Sequence, residues 1–199
     1  MPASEAAVLP GAVRPVKYWI KLQPDLEQFT FQGEERISIE VAEPTLEIVL
    51  NAVELQVETA TLLRDGVATG ARRVAFDKSR ETVTLDFGES IAPGQATLEI
   101  KFAGELNDKL CGFYRSRYTA SDGEERYLAA TQFEATDARR AFPCWDEPAR
   151  KARFEVTLVI PSGLVAVSNT PPVEESGAGP DLKTVHFAET PVMSTYLLA

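Results

Sequence analysis

Apolar and polar residues alternate in short runs along most of this chain, and turn residues separate the runs. A period of two places successive side chains on opposite faces, so each run predicts a half-buried strand. The first run is Val16-Lys17-Tyr18-Trp19-Ile20-Lys21-Leu22, and Pro24 ends it. Phe29-Thr30-Phe31 follows, then Gly33, then Arg36-Ile37-Ser38-Ile39-Glu40-Val41. A glycine inside such a pattern predicts a bulge or bend. Beyond Pro44 the period continues through Leu46, Ile48 and Leu50, then Val53, Leu55 and Val57, then Leu62-Leu63 before an Asp65-Gly66 turn. Further strands are predicted over 73–76, 82–87 and 96–102, with Asp77-Lys78-Ser79 and Ala92-Pro93-Gly94 as turns. Residues 113–118 and 126–131 read as a hairpin around Ser121-Asp122-Gly123. The last strands predicted are 154–160, 164–168, 184–187 and 196–199, with 171–181 as a polar Pro/Gly loop.

No segment carries a sustained helical period. Residues 137–142 suit one helical turn, which Pro143 would stop. The pattern therefore predicts one all-β domain of a dozen or so short strands, arranged as an antiparallel β-sandwich or a curved pair of sheets. The apolar run Tyr196-Leu197-Leu198-Ala199 at the end reads as a strand entering a core, as in a fragment of a longer chain.

Charge narrows the partners. The 199 residues carry 30 acids against 20 Lys and Arg, a net charge of −10. Nucleic-acid binding needs clustered cations that displace counterions, and anionic membranes attract the same clusters, so neither partner is expected. The start, MPASEAAVLPGAVRPVKYWI, lacks the basic and apolar regions of a signal peptide. Cys111 and Cys144 lie far apart and form no CxxC, which fits free thiols in a reducing, cytoplasmic setting.

Candidate chemistry concentrates in TQFEATDARRAFPCWDEPARKARFEV, residues 131–156, where five acids and five bases surround Phe133, Phe142, Cys144 and Trp145. The chain has one histidine, His186, so a two-histidine HExxH zinc site cannot form within it. A Cys–His hydrolase would need Cys144 beside His186. A Cys between Pro143 and Trp145 reads more naturally as a small buried residue, and His186 as a strand-surface residue. Gln132 and Glu134 are two apart at a strand end, so they share a face while Phe133 takes the other. A carboxylate beside an amide there suits an ammonium group, but spacing alone favours the pairing of Glu134 with Arg139 or Arg140. Asp137, Arg139, Arg140, Asp146 and Glu147 read as an ion-paired scaffold, stiffened by Pro143 and Pro148.

The 131–156 stretch closely resembles the signature of the N-terminal domain of M1-family zinc aminopeptidases, of the puromycin-sensitive and aminopeptidase N-like kind. EIVLNAVEL at 47–55, CGFYRSRY at 111–118 and TPVMSTYLLA at 190–199 agree with it, and the likeness extends from Leu9 to Ala199. The resemblance implies a flexible terminus over 1–8 and a saddle-like β domain over 9–199 that packs on a separate thermolysin-like catalytic domain. That second domain would bring the zinc and its ligands, so no metal ligand and no catalytic residue is expected in this chain. The resemblance also implies that Glu134 binds the α-ammonium of a peptide substrate and that Gln132 lines the pocket for the first side chain. Phe133, Asp137, Arg139, Arg140, Pro143, Trp145, Asp146, Glu147 and Pro148 would support them. The competing expectation is a stand-alone β-sandwich that binds peptides or proteins without peptidase activity.

Overall fold

A computed structural model describes residues 8–199. The terminus expected to be flexible, 1–8, lies outside the described residues except for Val8. Thirteen strands follow in order: β1 (Val13–Asp25), β2 (Thr30–Val41), β3 (Thr45–Asn51), β4 (Leu55–Arg64), β5 (Val67–Gly70), β6 (Arg73–Asp77), β7 (Thr82–Ile91), β8 (Gly94–Glu105), β9 (Gly112–Thr119), β10 (Glu125–Gln132), β11 (Arg153–Pro161), β12 (Pro172–Gly177) and β13 (Leu182–Phe187). Single 3₁₀ turns occur at Ala138–Arg140 and Thr195–Leu197.

An eight-stranded sheet runs β12-β13-β11-β1-β2-β8-β4-β5, a three-stranded sheet runs β3-β7-β6, and β9 and β10 form a separate hairpin. β1 and β11 pair in parallel, while β1–β2, β2–β8 and β4–β8 are antiparallel. The alternation in sequence explains the layering. Along β2, Phe31, Ile37, Ile39 and Val41 are buried while Gln32, Glu34 and Arg36 face solvent. These inward residues share one core with Ile48 and Leu50 of β3 and Val83, Leu85 and Phe87 of β7. The small sheet therefore closes over the inner face of the large one, as the all-β sandwich reading expects. Each fully buried side chain of this size contributes about 1.5–3 kcal/mol.

The Asp65-Gly66 turn forms as predicted, with φ of 49° and 79°. It joins Arg64 directly to its partner Val67, the positive-φ geometry that matches strand twist.

Four expectations are corrected. Gly33 makes no bulge: β2 runs straight through it, opposite Phe102. A Cβ at Gly33 would sit 2.3 Å from the Phe102 ring, so the glycine makes room for that ring. Residues 164–168 form no strand. Val165 and Val167 are 86% and 80% exposed, and strand propensity without a partner strand builds no ladder. The loop expected at 171–181 contains β12, whose residues are all exposed; polar composition suits a sheet edge. The final run 196–199 is not a strand, because Thr195–Leu197 turns in a 3₁₀ loop.

Candidate functional site

The site grows from the end of β10. Gln132 is the last ladder residue and pairs with Gly112 of β9. Phe133 then turns inward, buried, with its ring edge-on to Phe142 at 6.0 Å between centroids. Gln132 and Glu134 remain exposed on the outside. The Glu134 amide donates to Gln132 Oε1 at 3.1 Å, which draws the two residues into one tip. The Asp137 amide donates to the Phe133 carbonyl at 2.9 Å and closes the turn into the 3₁₀ segment.

Beyond the tip the loop is fastened to both layers. Cys144 and Asn51, the last residue of β3, exchange two backbone hydrogen bonds, of 2.7 and 3.0 Å. The Asp146 amide donates to Asn51 Oδ1 at 3.1 Å. The Trp145 amide donates to the Tyr18 hydroxyl at 3.2 Å. The Trp145 ring is buried, as are Phe142, Pro143 and Cys144. Tyr18 stacks on Phe154 at 4.9 Å and meets Phe142 edge-on at 6.0 Å, so aromatics seal the underside of the loop. Burial pushes the Tyr18 hydroxyl and the Cys144 thiol well above their ordinary ranges.

The charges sort into pairs. Arg139 Nε meets Asp146 Oδ2 at 3.0 Å, and its Nη1 meets Glu81 Oε2 at 2.8 Å. The other Asp146 oxygen accepts from Thr195 Oγ1 at 2.8 Å. Arg140 Nε meets Asp137 Oδ1 at 2.8 Å, and its Nη1 meets Glu54 Oε2 at 2.8 Å. Glu147 pairs with Arg150 at 3.4 Å and accepts the Leu9 amide at 2.6 Å. The carbonyl of exposed Pro148 accepts from Ser194 Oγ at 2.8 Å. Among the described residues, Glu134 is the acid of this loop whose carboxylate has neither an ion pair nor a hydrogen bond. The alternative in which Arg139 or Arg140 neutralises it is not what forms, because both guanidiniums are engaged elsewhere.

The Cys–His arrangement does not form. Cys144 is buried beside β3 of the small sheet, while His186 lies on β13 of the large one. Both ring nitrogens of His186 are occupied, Nδ1 by Thr157 Oγ1 at 2.9 Å and Nε2 by Glu155 at 3.1 Å. The two cysteines are free thiols. No group of three or more His, Cys, Asp or Glu among the described residues could hold a metal ion. No helix there is long and apolar enough to cross a membrane.

Sequence reasoning missed Asn51, Glu54, Glu81 and Thr195 as parts of this loop's support. Each lies 49 or more residues from its partner, and nothing local marks the pairing.

The tip thus presents an unpaired carboxylate beside an amide on a braced loop. The family described as Peptidase M1 N-terminal domain matches residues 14–197, and the chain belongs to it. It is 46% identical over 193 residues to Aminopeptidase M1-D of Oryza sativa subsp. japonica, covering 97% of this chain and 22% of that protein. It is 40% identical to the Puromycin-sensitive aminopeptidase of Caenorhabditis elegans, covering 96% of this chain and 20% of that protein. It is 41% identical to Aminopeptidase N of Acetobacter pasteurianus, covering 98% and 54%. The chain thus spans about a fifth of the length of the plant and worm relatives.

Proposed function

We propose that this chain is the substrate-receiving domain of a zinc aminopeptidase that removes N-terminal residues from peptides, and that Glu134 binds the substrate's α-ammonium. One observation carries this reading: Glu134 is exposed and unpaired in a loop where Asp137, Asp146 and Glu147 all have cations. An exopeptidase must count from the free amine, and a fixed carboxylate does so by rejecting substrates that lack the charge. Holding the amine places the first peptide bond at a set distance, the positioning part of catalysis. Gln132 keeps its side-chain amide N–H groups free, since its Oε1 takes the Glu134 amide, and it lines the space for the first side chain.

The remaining machinery belongs to a catalytic domain of the same parent polypeptide, which packs on this domain. Exposed Val165, Val167 and Leu197 offer that domain apolar side chains, on two segments joined by the Asn169–Leu197 hydrogen bond. Two free thiols support a reducing, cytoplasmic setting.

The test is Glu134→Ala in the complete peptidase. Losing a charge-assisted anchor should lower kcat/KM at least thirtyfold, the equivalent of about 2 kcal/mol. Unchanged kcat/KM on a peptide with a free amine would sink the assignment. The chain by itself should release no amino acid from such a peptide.

A further inference from the structure

We infer that Glu54 is a positioning residue for the amine site: it holds Arg140 away from Glu134 and so keeps the anchor open. This rests on the reading of Glu134 above. Arg139 and Arg140 are the cations nearest Glu134 along its own loop. A carboxylate five and six residues from two arginines of the same loop stays unpaired only while both guanidiniums are held by other anions, because Arg binds carboxylates bidentately and strongly.

Arg139 is held by buried Asp146 and by Glu81. Arg140 is held by Asp137 through Nε and by Glu54 through Nη1, both at 2.8 Å. Asp137 sits on the same turn as Arg140, three residues away, and moves with it. Glu54 is different. It lies in the connection between β3 and β4, 86 residues from Arg140, on a separate part of the scaffold. Its backbone has φ of 57°, a left-handed conformation that few non-glycine residues adopt. Its other oxygen takes Lys109 Nζ at 3.3 Å.

The stem of Arg140 is set as well. A Cβ on Gly112, the cross-strand partner of Gln132, would lie 2.5 Å from Arg140 Cβ. With its stem packed against Gly112, Arg140 has its guanidinium aimed by two anions, Asp137 on its own turn and Glu54 from outside it. Without Glu54, Arg140 loses its external anion and turns to Glu134, where it competes with the substrate's ammonium.

The experiment compares Glu54→Gln, Glu134→Gln and the double variant Glu54→Gln/Arg140→Gln in the complete peptidase, with Arg140→Met as a substitute if the double variant does not fold. Glu54→Gln should raise KM about tenfold with kcat within about twofold, a mid-range coupling for contacting charges. Its Tm should stay within about 2 °C, since an exposed ion pair adds little stability. Removing Arg140 as well should restore KM toward the parent value, because the competitor is gone. An unchanged KM in Glu54→Gln overturns the inference. So does a raised KM that the second substitution fails to relieve, which would mean Glu54 only braces the loop. If Glu134→Gln itself leaves KM unchanged, the amine-anchor reading fails first.

Discussion

Glu134 and Glu35 are both carboxylates without a partner, yet they occupy opposite regions of the molecule. Glu134 stands in solvent at the tip beyond β10. Glu35 points inward from β2, flanked across the sheet by Ile20 and Ile100, with both oxygens buried and no hydrogen bond to either. Burial pushes its carboxyl well above the usual carboxylate range. The Tyr18 hydroxyl and the Cys144 thiol, which feel the Glu35 charge, are themselves raised by burial, and neither supplies a cation. Water solvates an unpaired carboxylate at the surface at little cost. In the core the same group must stay neutral and weakens the fold. A carboxylate meant to meet a charged ligand therefore belongs at the tip, and the core acid is a burden on stability.

This contrast depends first on the inner region being sealed. Trp145→Ala removes the largest fully buried side chain beneath the loop and should destabilise the domain by about 3–5 kcal/mol. A Tm equal to the parent's would show that the region is open and the comparison misplaced.

Glu35→Leu tests the core acid directly and should stabilise the chain by about 1–3 kcal/mol near neutral pH. Its pH dependence has a definite sign. The folded pKa is raised, so Glu35 contributes its full stability below the unfolded carboxyl value of about 4.3 and loses it as pH climbs toward the folded value. The advantage of the Leu variant should accordingly grow as pH rises from about 4.3, the unfolded carboxyl value, toward neutrality. Denaturant titrations giving the same advantage at both ends would mean that the carboxyl is hydrated or paired.

The smallest effect belongs to the tip. Glu134→Ala should change unfolding free energy by no more than about 0.5 kcal/mol, because the side chain holds nothing in place. A larger loss would show that Glu134 braces the loop.

Much of this was legible in the sequence. Alternation located most strands, and a two-residue spacing sent Phe133 into the core while Gln132 and Glu134 stayed outside. Ion pairs close in sequence, such as Arg140–Asp137 and Arg150–Glu147, follow from reach alone. What stayed hidden depends on distant segments meeting. Nothing near Glu54 or Glu81 announces an arginine from the other layer, and nothing near Thr195 announces Asp146. The stretch 164–168 fails for the converse reason: its residues suit a strand, but no neighbour pairs with it. β12 was masked because edge strands are polar on both faces.

Gly33 and Phe102 face each other across β2 and β8, and so do Phe31 and Gly104, where a Cβ would lie 2.5 Å from the Phe31 ring. Large and small thus mesh twice along one ladder at the centre of the eight-stranded sheet. Sliding β2 by two residues would preserve every inward and outward face. It would, however, set Phe31 against Phe102 and put Ile100 in place of the ring over Gly33. Alternation alone tolerates that slip; the interlocked rings do not. This antiparallel seam therefore carries its own alignment check.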